Sequence, residues 1–350
     1  MKKKVLLAMS GGTDSSVSAL LLKEQGYEVG GITFRLFDDE INEPGFISEA
    51  RRLAQKLKIP HYTLDIRKEF EETVVQYFED EFVAGRTPHP CAFCNNTTKW
   101  TYLVEQADKL GYDSIATGHY AQISSENGLF YVGRGIDPEK EQSFFLWGLP
   151  QSILSRTIFP LGRLTKDKVR QIAAQKGFQK LSTKKDSMGI CFVPRNYRPF
   201  LENRLAQQNK LPEKGNFIAD NGKVLGTHNG YVFYTVGQRR GLGINLNEPL
   251  YVTAIHPETN EVVLGSRDQL LTTRMLLSGC NFVDPQKVEQ QELIVQIRYR
   301  KQATPGRVKI LENNQAEVIL LEPVVREAAG QTASFYDGDK VLGGGWIEEG

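Results

Sequence analysis

Long apolar runs, an excess of either charge and cysteine in quantity are all missing from this 350-residue chain. No stretch approaches the roughly 20 apolar residues that a membrane-spanning helix needs, so no membrane association is expected. Lys2-Lys3-Lys4 leads into an apolar run that is too short for a secretory signal and is interrupted by glycines. The reading is therefore of a cytoplasmic protein. A net charge of +1 argues neither for nor against RNA, and any RNA-binding surface has to be a local patch. The only cysteines are Cys91, Cys94, Cys191 and Cys280. In a cytosolic chain of this size they point to catalysis or metal binding rather than a disulfide framework. With 40% hydrophobic and 24% charged residues, the composition is that of a globular protein with room for two or three domains. Internal repeats and low-complexity tracts are also missing.

The most informative segment is Ser10-Gly11-Gly12-Thr13-Asp14-Ser15-Ser16. It lies between the apolar run Val5-Leu6-Leu7-Ala8 and a helical pattern from about Val17. A strand, a glycine turn and a helix start converge unpaired N–H groups on an anion. Gly11 and Gly12 permit positive φ and close approach of a phosphate. The serines and Thr13 add hydroxyl donors, and Asp14 is placed to hold Mg²⁺ against phosphate oxygens. The lysine of a Walker loop is lacking, so that phosphate loop is excluded. The bland alternative is an ordinary Gly/Ser-rich turn.

Up to about residue 120 the pattern alternates strand and helix. Apolar stretches at 4–9, 28–34, 61–66 and 113–117 read as buried strands. Helical spacing places Phe46, Ala50, Leu53, Ala54 and Leu57 on one face, Phe70, Val74, Phe78 and Phe82 on another, and Trp100, Leu103, Val104, Ala107 and Leu110 on a third. Repeated βα units predict an α/β fold with a parallel sheet, its ligands at the carboxyl ends of the strands near Ser10 and Thr117-Gly118-His119-Tyr120. Helices are expected at 165–176, capped by Thr165, and near 196–207. After Lys214 short β-type runs are punctuated by Asp220-Asn221-Gly222 and Asn229-Gly230, a hairpin signal. The strand-rich C-terminal segment, with turns at Asp337-Gly338 and Gly343-Gly344-Gly345, reads as a small barrel or sandwich.

Cys91-Ala92-Phe93-Cys94 follows the proline-stiffened Gly85-Arg86-Thr87-Pro88-His89-Pro90. If Asn95 or Asn96 caps the following helix, Cys94 sits near a positive dipole end and its thiol pKa falls. Redox pair, metal ligands and nucleophile all remain open for this Cys-x-x-Cys, beside a purely structural role. Cys191, in Lys184-Lys185-Asp186-Ser187-Met188-Gly189-Ile190-Cys191-Phe192, would by residue statistics alone be a core cysteine.

Taken together, Ser10 to Ser16, Gly85-Arg86-Thr87-Pro88 with Cys94-Asn95, Ala116-Thr117-Gly118-His119-Tyr120, Lys140-Glu141-Gln142-Ser143-Phe144-Phe145-Leu146, Lys185-Asp186-Ser187 with Gly189-Ile190-Cys191-Phe192, and Thr235-Val236-Gly237-Gln238-Arg239 with Gly241-Leu242-Gly243 resemble the tRNA-specific 2-thiouridylases. Arg298-Tyr299-Arg300 and Leu342-Gly343-Gly344-Gly345 complete a match over the whole chain. The resemblance implies an N-terminal ATP-pyrophosphatase domain of the adenine nucleotide α-hydrolase type at 1–205. It further implies a small central β-rich domain at 206–270 and a C-terminal tRNA-binding β-barrel at 271–350. It implies ATP contacts at Ala8, Met9, Ser10, Gly11, Gly12, Thr13, Asp14, Ser15, Phe34 and Gly118. Cys94 matches the family nucleophile and Cys191 the persulfide carrier, and Cys94 resolves the persulfide either through a transient disulfide with Cys191 or by releasing sulfide that attacks in its place. The implied tRNA contacts are His89, Pro90, Cys91, His119, Lys140, Glu141, Gln142, Arg298, Tyr299 and Gln331. The implied reaction adenylates the uracil C2 oxygen of the wobble uridine with ATP and Mg²⁺, then replaces it with sulfur. A cysteine desulfurase or sulfur-relay protein would donate that sulfur.

The chain also departs from the family pattern. Cys91 stands where many relatives have aspartate; with Cys94 and Cys191 it supplies the three thiolates by which some related thiolases hold a 4Fe–4S cluster. Glu141 replaces a common aspartate, Met188 a threonine and Phe34 a methionine. Asp38 to Phe46 is shorter than usual, and Asn96-Thr97-Thr98 replaces a more basic run. Cys280 is expected to be structural. Rival readings are a small-molecule ligase with the same loop, which has no need of two cysteines, and a non-enzymatic RNA-binding descendant.

Overall fold

The computed structural model describes residues 3–37, 45–183, 189–193, 196–244 and 249–349. It divides into two compact units: Met1–Val74 with Cys91–Met188 and Tyr336–Gly343, and Val75–Pro90 with Gly189–Phe335 and Gly344–Gly350. The segment Lys185-Asp186-Ser187 lies outside the described residues, as does most of Asp38 to Phe46.

The first unit is built on a five-stranded sheet. Its strands are β1 (Lys4–Ala8), β2 (Glu28–Arg35), β3 (His61–Asp65), β4 (Ser114–Ala116) and a short edge strand, Thr157–Ile158, in the order β3-β2-β1-β4-edge. All the pairings are parallel. Strand order reverses beside β1, where the chain leaves toward β2 on one side and β4 lies on the other. The loops after β1 and β4 therefore open a crevice at the carboxyl edge of the sheet. Helices α1 (Thr13–Glu24) and α2 (Gly45–Leu57) contribute to the core. Val5 and Leu7 of β1 pack with Ala19 and Leu22 of α1 and with Ala50 and Leu53 of α2. Apolar residues in unbroken series on β1, rather than alternating, reflect a strand covered on both faces. A hairpin, Ala121–Glu126 with Leu129–Arg134, follows β4. Its turn residues Asn127 and Gly128 both have positive φ, at 51° and 81°, as a type I′ turn requires.

The second unit holds a four-stranded sheet formed by Gly215–Ala219, Val224–His228, Tyr251–His256 and Glu261–Gly265. Phe217 is its buried centre, with the His228 and Tyr234 rings at 5.0 and 5.1 Å. Asp220-Asn221-Gly222 makes the expected hairpin turn. Asn229-Gly230 does not: the chain passes into a 3₁₀ turn at Tyr231–Phe233, and the Gly230 N–H donates to His228 Nδ1 at 3.1 Å. The C-terminal strands Leu271–Phe282, Ala316–Val325, Lys301–Ile310, Leu293–Arg298, Thr332–Asp337 and Lys340–Glu349 neighbour one another in that order, and the last also pairs with the first. This closes a six-stranded β-barrel. Closure removes the open edges that would otherwise invite pairing with other chains. Among the described residues no helix is long and apolar enough to cross a membrane.

Candidate active site

The loop after β1 turns on Gly11, whose φ is +66°. A Cβ at Gly11 would lie 2.5 Å from the Phe46 carbonyl oxygen, so this position takes only glycine. α1 then begins at Thr13 with Gly12 as N-cap, and no side chain caps it. An N-terminus capped by no side chain fits an anion. Two of the serines differ from expectation. Ser16 Oγ donates to Gly12 O at 2.6 Å, while Ser15 Oγ accepts from the Ser10 N–H at 3.2 Å. Buried at 1% and 4% exposure, these hydroxyls brace the loop from within rather than reaching outward. Gly118, just past β4, closes the other wall: a Cβ there would approach Ser15 N to 3.1 Å and Asp14 C to 3.2 Å. Met9 and Phe34 are buried in the adjacent β1–β2 layer, where Thr33 Oγ1 donates to Met9 O at 2.8 Å. The residues expected around ATP, Ala8 to Ser15 with Phe34 and Gly118, thus belong to one unit and one sheet edge.

Asp14 has partners that sequence reasoning missed. Lys166 Nζ lies 2.8 Å from both carboxylate oxygens, and the Tyr120 hydroxyl donates to Oδ1 at 2.8 Å. Lys166 is only 5% exposed and opens the helix Lys166–Gln175, which Thr165 caps by accepting from the Lys168 N–H. Its own N–H donates to Asp137 Oδ2 at 2.7 Å, so a second buried carboxylate fixes where the lysine starts. The cation that the loop lacks in sequence arrives about 150 residues later, and Asp14 already has a counter-ion inside the protein. Tyr120 is set in turn by Gln142, which accepts the Tyr120 N–H on Oε1 at 3.0 Å and donates its own N–H to Tyr120 O at 3.0 Å.

Cys94 lies in a helical run that starts at Pro90 and continues through Pro90–Cys94, a π-turn at Asn95–Lys99 and Trp100–Leu110. Neither Asn95 nor Asn96 is a cap. Asn95 Nδ2 donates back to Cys91 O at 3.0 Å, and Asn96 Oδ1 accepts from the Gly148 N–H at 3.1 Å. Cys94 therefore sits beyond the first turn, and the expected lowering of its pKa is not found. Burial pushes the thiol up; the Lys99 ammonium and a hydrogen bond from the Lys99 backbone N–H oppose this only in part. Single π-turns of this kind concentrate at functional sites. Cys91 reaches solvent, but its neighbourhood is dense enough that desolvation raises its thiol too, again against Lys99. His119 packs in a three-ring cluster with Trp100, stacked at 6.0 Å, and Phe159, edge-on at 6.1 Å, and its Nδ1 lies 2.7 Å from Thr117 Oγ1. Burial and the Lys99 charge lower its pKa to about 3, so it is neutral at physiological pH.

The residues assigned by resemblance to tRNA divide between the units. Cys91, His119, Lys140, Glu141 and Gln142 belong to the first; His89, Pro90, Arg298, Tyr299 and Gln331 belong to the second. Glu141 is 7% exposed and accepts from the Ser143 N–H and from Arg134, which makes it a brace in this structure. Gln142 is held by Tyr120 as described. Gln331 donates to Thr87 O at 2.9 Å and Pro88 O at 3.2 Å, tying the loop before His89 to the barrel. The same loop is clamped by Arg86. Burial alone would lower the pKa of Arg86, but Glu348 and Glu81 more than compensate and hold it charged. Burial lowers the pKa of His89 to about 4. Arg298 pairs with Glu327 at the end of its strand. Tyr299 and Arg300 form the two-residue turn between paired Arg298 and Lys301, with Arg300 at φ 62° and its guanidinium 4.6 Å from the Tyr299 ring. This segment is thus a hairpin tip. Cys191 is an exposed thiol in the second unit, positioned by Phe192, whose buried ring meets Phe78 edge-on at 5.5 Å. Cys280 is buried and its thiol is pushed up to about 12, as suits a structural role. Among the described residues no three His, Cys, Asp or Glu side chains gather as metal ligands.

Three family models together match most of the chain. The family model described as tRNA methyl transferase HUP domain matches residues 3–195. Its PRC-barrel companion matches 198–266, and an aminomethyltransferase β-barrel model matches 272–347. A tRNA-specific 2-thiouridylase of Phocaeicola vulgatus is 48% identical over 98% of this chain and 97% of its own length. The chain belongs to the tRNA-specific 2-thiouridylase family. Another member, from Amoebophilus asiaticus, is 46% identical over 99% of this chain and 96% of its own. Among solved structures, a 4-thiouridine synthetase–RNA complex with bound ATP matches 59% of this chain and 50% of its own at 20% identity, with a TM-score of 0.38. The Ser10 loop with Lys166 and the Cys91–Cys94 helix are the candidate site of this chain.

Proposed function

We propose that the chain is an ATP-dependent tRNA uridine 2-sulfurtransferase acting on the wobble uridine. The observation that carries this reading is the crevice between the loops after β1 and β4. There an α1 N-terminus without a side-chain cap, set by Gly11 and walled by Gly118, shares one unit with the helix bearing Cys94. Family membership supplies the substrate class, since the relatives are tRNA-specific 2-thiouridylases.

In this reading the phosphates of ATP rest on the Gly12–Ser15 backbone, with Mg²⁺ arriving on the nucleotide. Lys166 already neutralises Asp14 and keeps the loop from repelling phosphate. The uracil O2 attacks the α-phosphate and pyrophosphate leaves, converting a poor leaving group into AMP. The terminal sulfur of a persulfide on Cys191, supplied by a sulfur-donor protein, attacks C2 and AMP leaves. Cys94 then attacks the Cys191 sulfur, which forms a Cys94–Cys191 disulfide and leaves the sulfur on the base. The base must be unstacked and flipped to reach the site. Arg298 and Tyr299 at the hairpin tip are the proposed phosphate and stacking contacts. The test is ATP–pyrophosphate exchange with and without tRNA. Exchange that requires a tRNA bearing a wobble uridine supports the reading; tRNA-independent exchange indicates a small-molecule ligase.

A further inference from the structure

The sulfur-transfer cycle leaves one thiol of the site without a task. Cys91 precedes Cys94 by three residues on one helix, so the two side chains share a face. Helix geometry puts their Cα atoms about 5 Å apart, inside the window of roughly 4.4–6.8 Å that a disulfide bridges. Their exposures are opposite: Cys94 is buried at 8%, whereas Cys91 opens to solvent. A polar chain runs along the same helix from Lys99 Nζ to Asn95 Oδ1 at 3.0 Å, and from Asn95 Nδ2 to Cys91 O at 3.0 Å. Asn95 thereby holds the ammonium beside this helical turn, where its charge acts on both thiols.

We propose that Cys91 is the resolving thiol of the cycle, which moves the disulfide from the Cys94–Cys191 pair to a Cys91–Cys94 pair on the helix. The inference rests on the sulfur-transfer reading above. The Cys91 thiolate attacks Cys94 Sγ of the Cys94–Cys191 disulfide. A Cys91–Cys94 bond forms, the Cys94–Cys191 bond breaks, and Cys191 leaves as thiolate, ready for the next persulfide. The exchange is redox-neutral. The two electrons that reduced the sulfane sulfur are repaid to the enzyme by an external dithiol reductant, which attacks the exposed Cys91 sulfur and releases buried Cys94.

The experiment is one turnover of the full chain, without reductant and under anaerobic conditions. The enzyme is loaded with inorganic polysulfide and supplied with ATP and wobble-uridine tRNA. The thiols are then quenched with N-ethylmaleimide, and the disulfides are mapped by mass spectrometry. The wild type is expected to yield 2-thiouridine, a Cys91–Cys94 disulfide and alkylated Cys191. In Cys91→Ser, and in Cys91→Ala as a second variant with its fold checked by circular dichroism, the enzyme that turns over should be trapped as Cys94–Cys191. Product together with a Cys94–Cys191 disulfide and alkylated Cys91 in the wild type overturns the inference. So does iron and sulfide bound at cluster stoichiometry and lost in Cys91→Ser. Failure of the parent reading looks different, because the wild type then makes no 2-thiouridine at all.

Discussion

Replacing Lys166 with methionine isolates the role of the cation that pairs with Asp14 beside the Ser10 loop. Lys166 is 5% exposed, and its ammonium is equidistant from the two Asp14 oxygens at 2.8 Å. Methionine keeps most of the side-chain volume, so the main change is a bare carboxylate in the first turn of α1. Its side chain is 34% exposed, which keeps the stability cost well below the roughly 3–5 kcal/mol of a fully buried broken pair. Binding is more sensitive. A carboxylate about 5 Å from a phosphate charge repels it by roughly 1–3 kcal/mol for an effective dielectric between 80 and 20. ATP affinity should therefore fall by about 5- to 150-fold, measured by equilibrium titration with the full chain. Asp14→Asn combined with Lys166→Met removes both charges and should recover part of that loss, a coupling that a double-mutant cycle reads directly. If the double variant binds ATP no better than Lys166→Met, or if Lys166→Met binds like wild type, the electrostatic account of the loop is wrong.

Three further predictions follow from neighbouring residues. Gly11→Ala forces a side chain into left-handed backbone against the Phe46 carbonyl; it should cost at least about 1–2 kcal/mol and lower the thermal midpoint in calorimetry while also weakening ATP. Tyr120→Phe removes one hydrogen bond to Asp14 and should cost only about 0.5–1.5 kcal/mol, so its ATP affinity should fall between those of wild type and Lys166→Met. His119 has its pKa lowered from 6.5 to about 3. The unfolded chain thus gains a proton as pH falls through about 6.5 while the folded chain does not. Stability present above that value should be lost on acidification, by roughly 1–2 kcal/mol at about pH 5. Urea midpoints of His119→Gln should show a shallower fall between neutral and acid pH than wild type.

The sheet and its crevice were legible because buried parallel strands are continuous apolar runs, and Val5-Leu6-Leu7 and the helix face Ala50-Leu53-Leu57 could hardly be read otherwise. The Thr165 cap was legible for a similarly local reason. Its consequence was not: Lys166 reaches Asp14 only because two βα units converge, and no local pattern announces a contact between distant residues. The Asn127-Gly128 hairpin went unread in the sequence although its turn carries the signal, whereas Asn229-Gly230 was read as a hairpin and instead leads into a 3₁₀ turn. The state of Cys94 was misjudged from a local argument. Asn95 and Asn96 are good cap residues, but the helix starts earlier, at Pro90, the favoured first position of a helix. Burial then outweighs the nearby positive charge. Glu141 and Gln142 were assigned tRNA contacts by resemblance; in the structure Glu141 accepts from the Ser143 N–H and Arg134, and Gln142 holds Tyr120.

The central claim is tested most directly by the product itself. Purified chain is incubated anaerobically with ATP, Mg²⁺, a persulfide source and a tRNA bearing a wobble uridine, and the digested nucleosides are analysed by mass spectrometry. The account predicts 2-thiouridine at the wobble position with AMP and pyrophosphate formed in equal amount, lost in Cys94→Ser and in Cys191→Ser. Thiolation that survives either replacement, or ATP cleavage without any sulfur entering the tRNA, would contradict it.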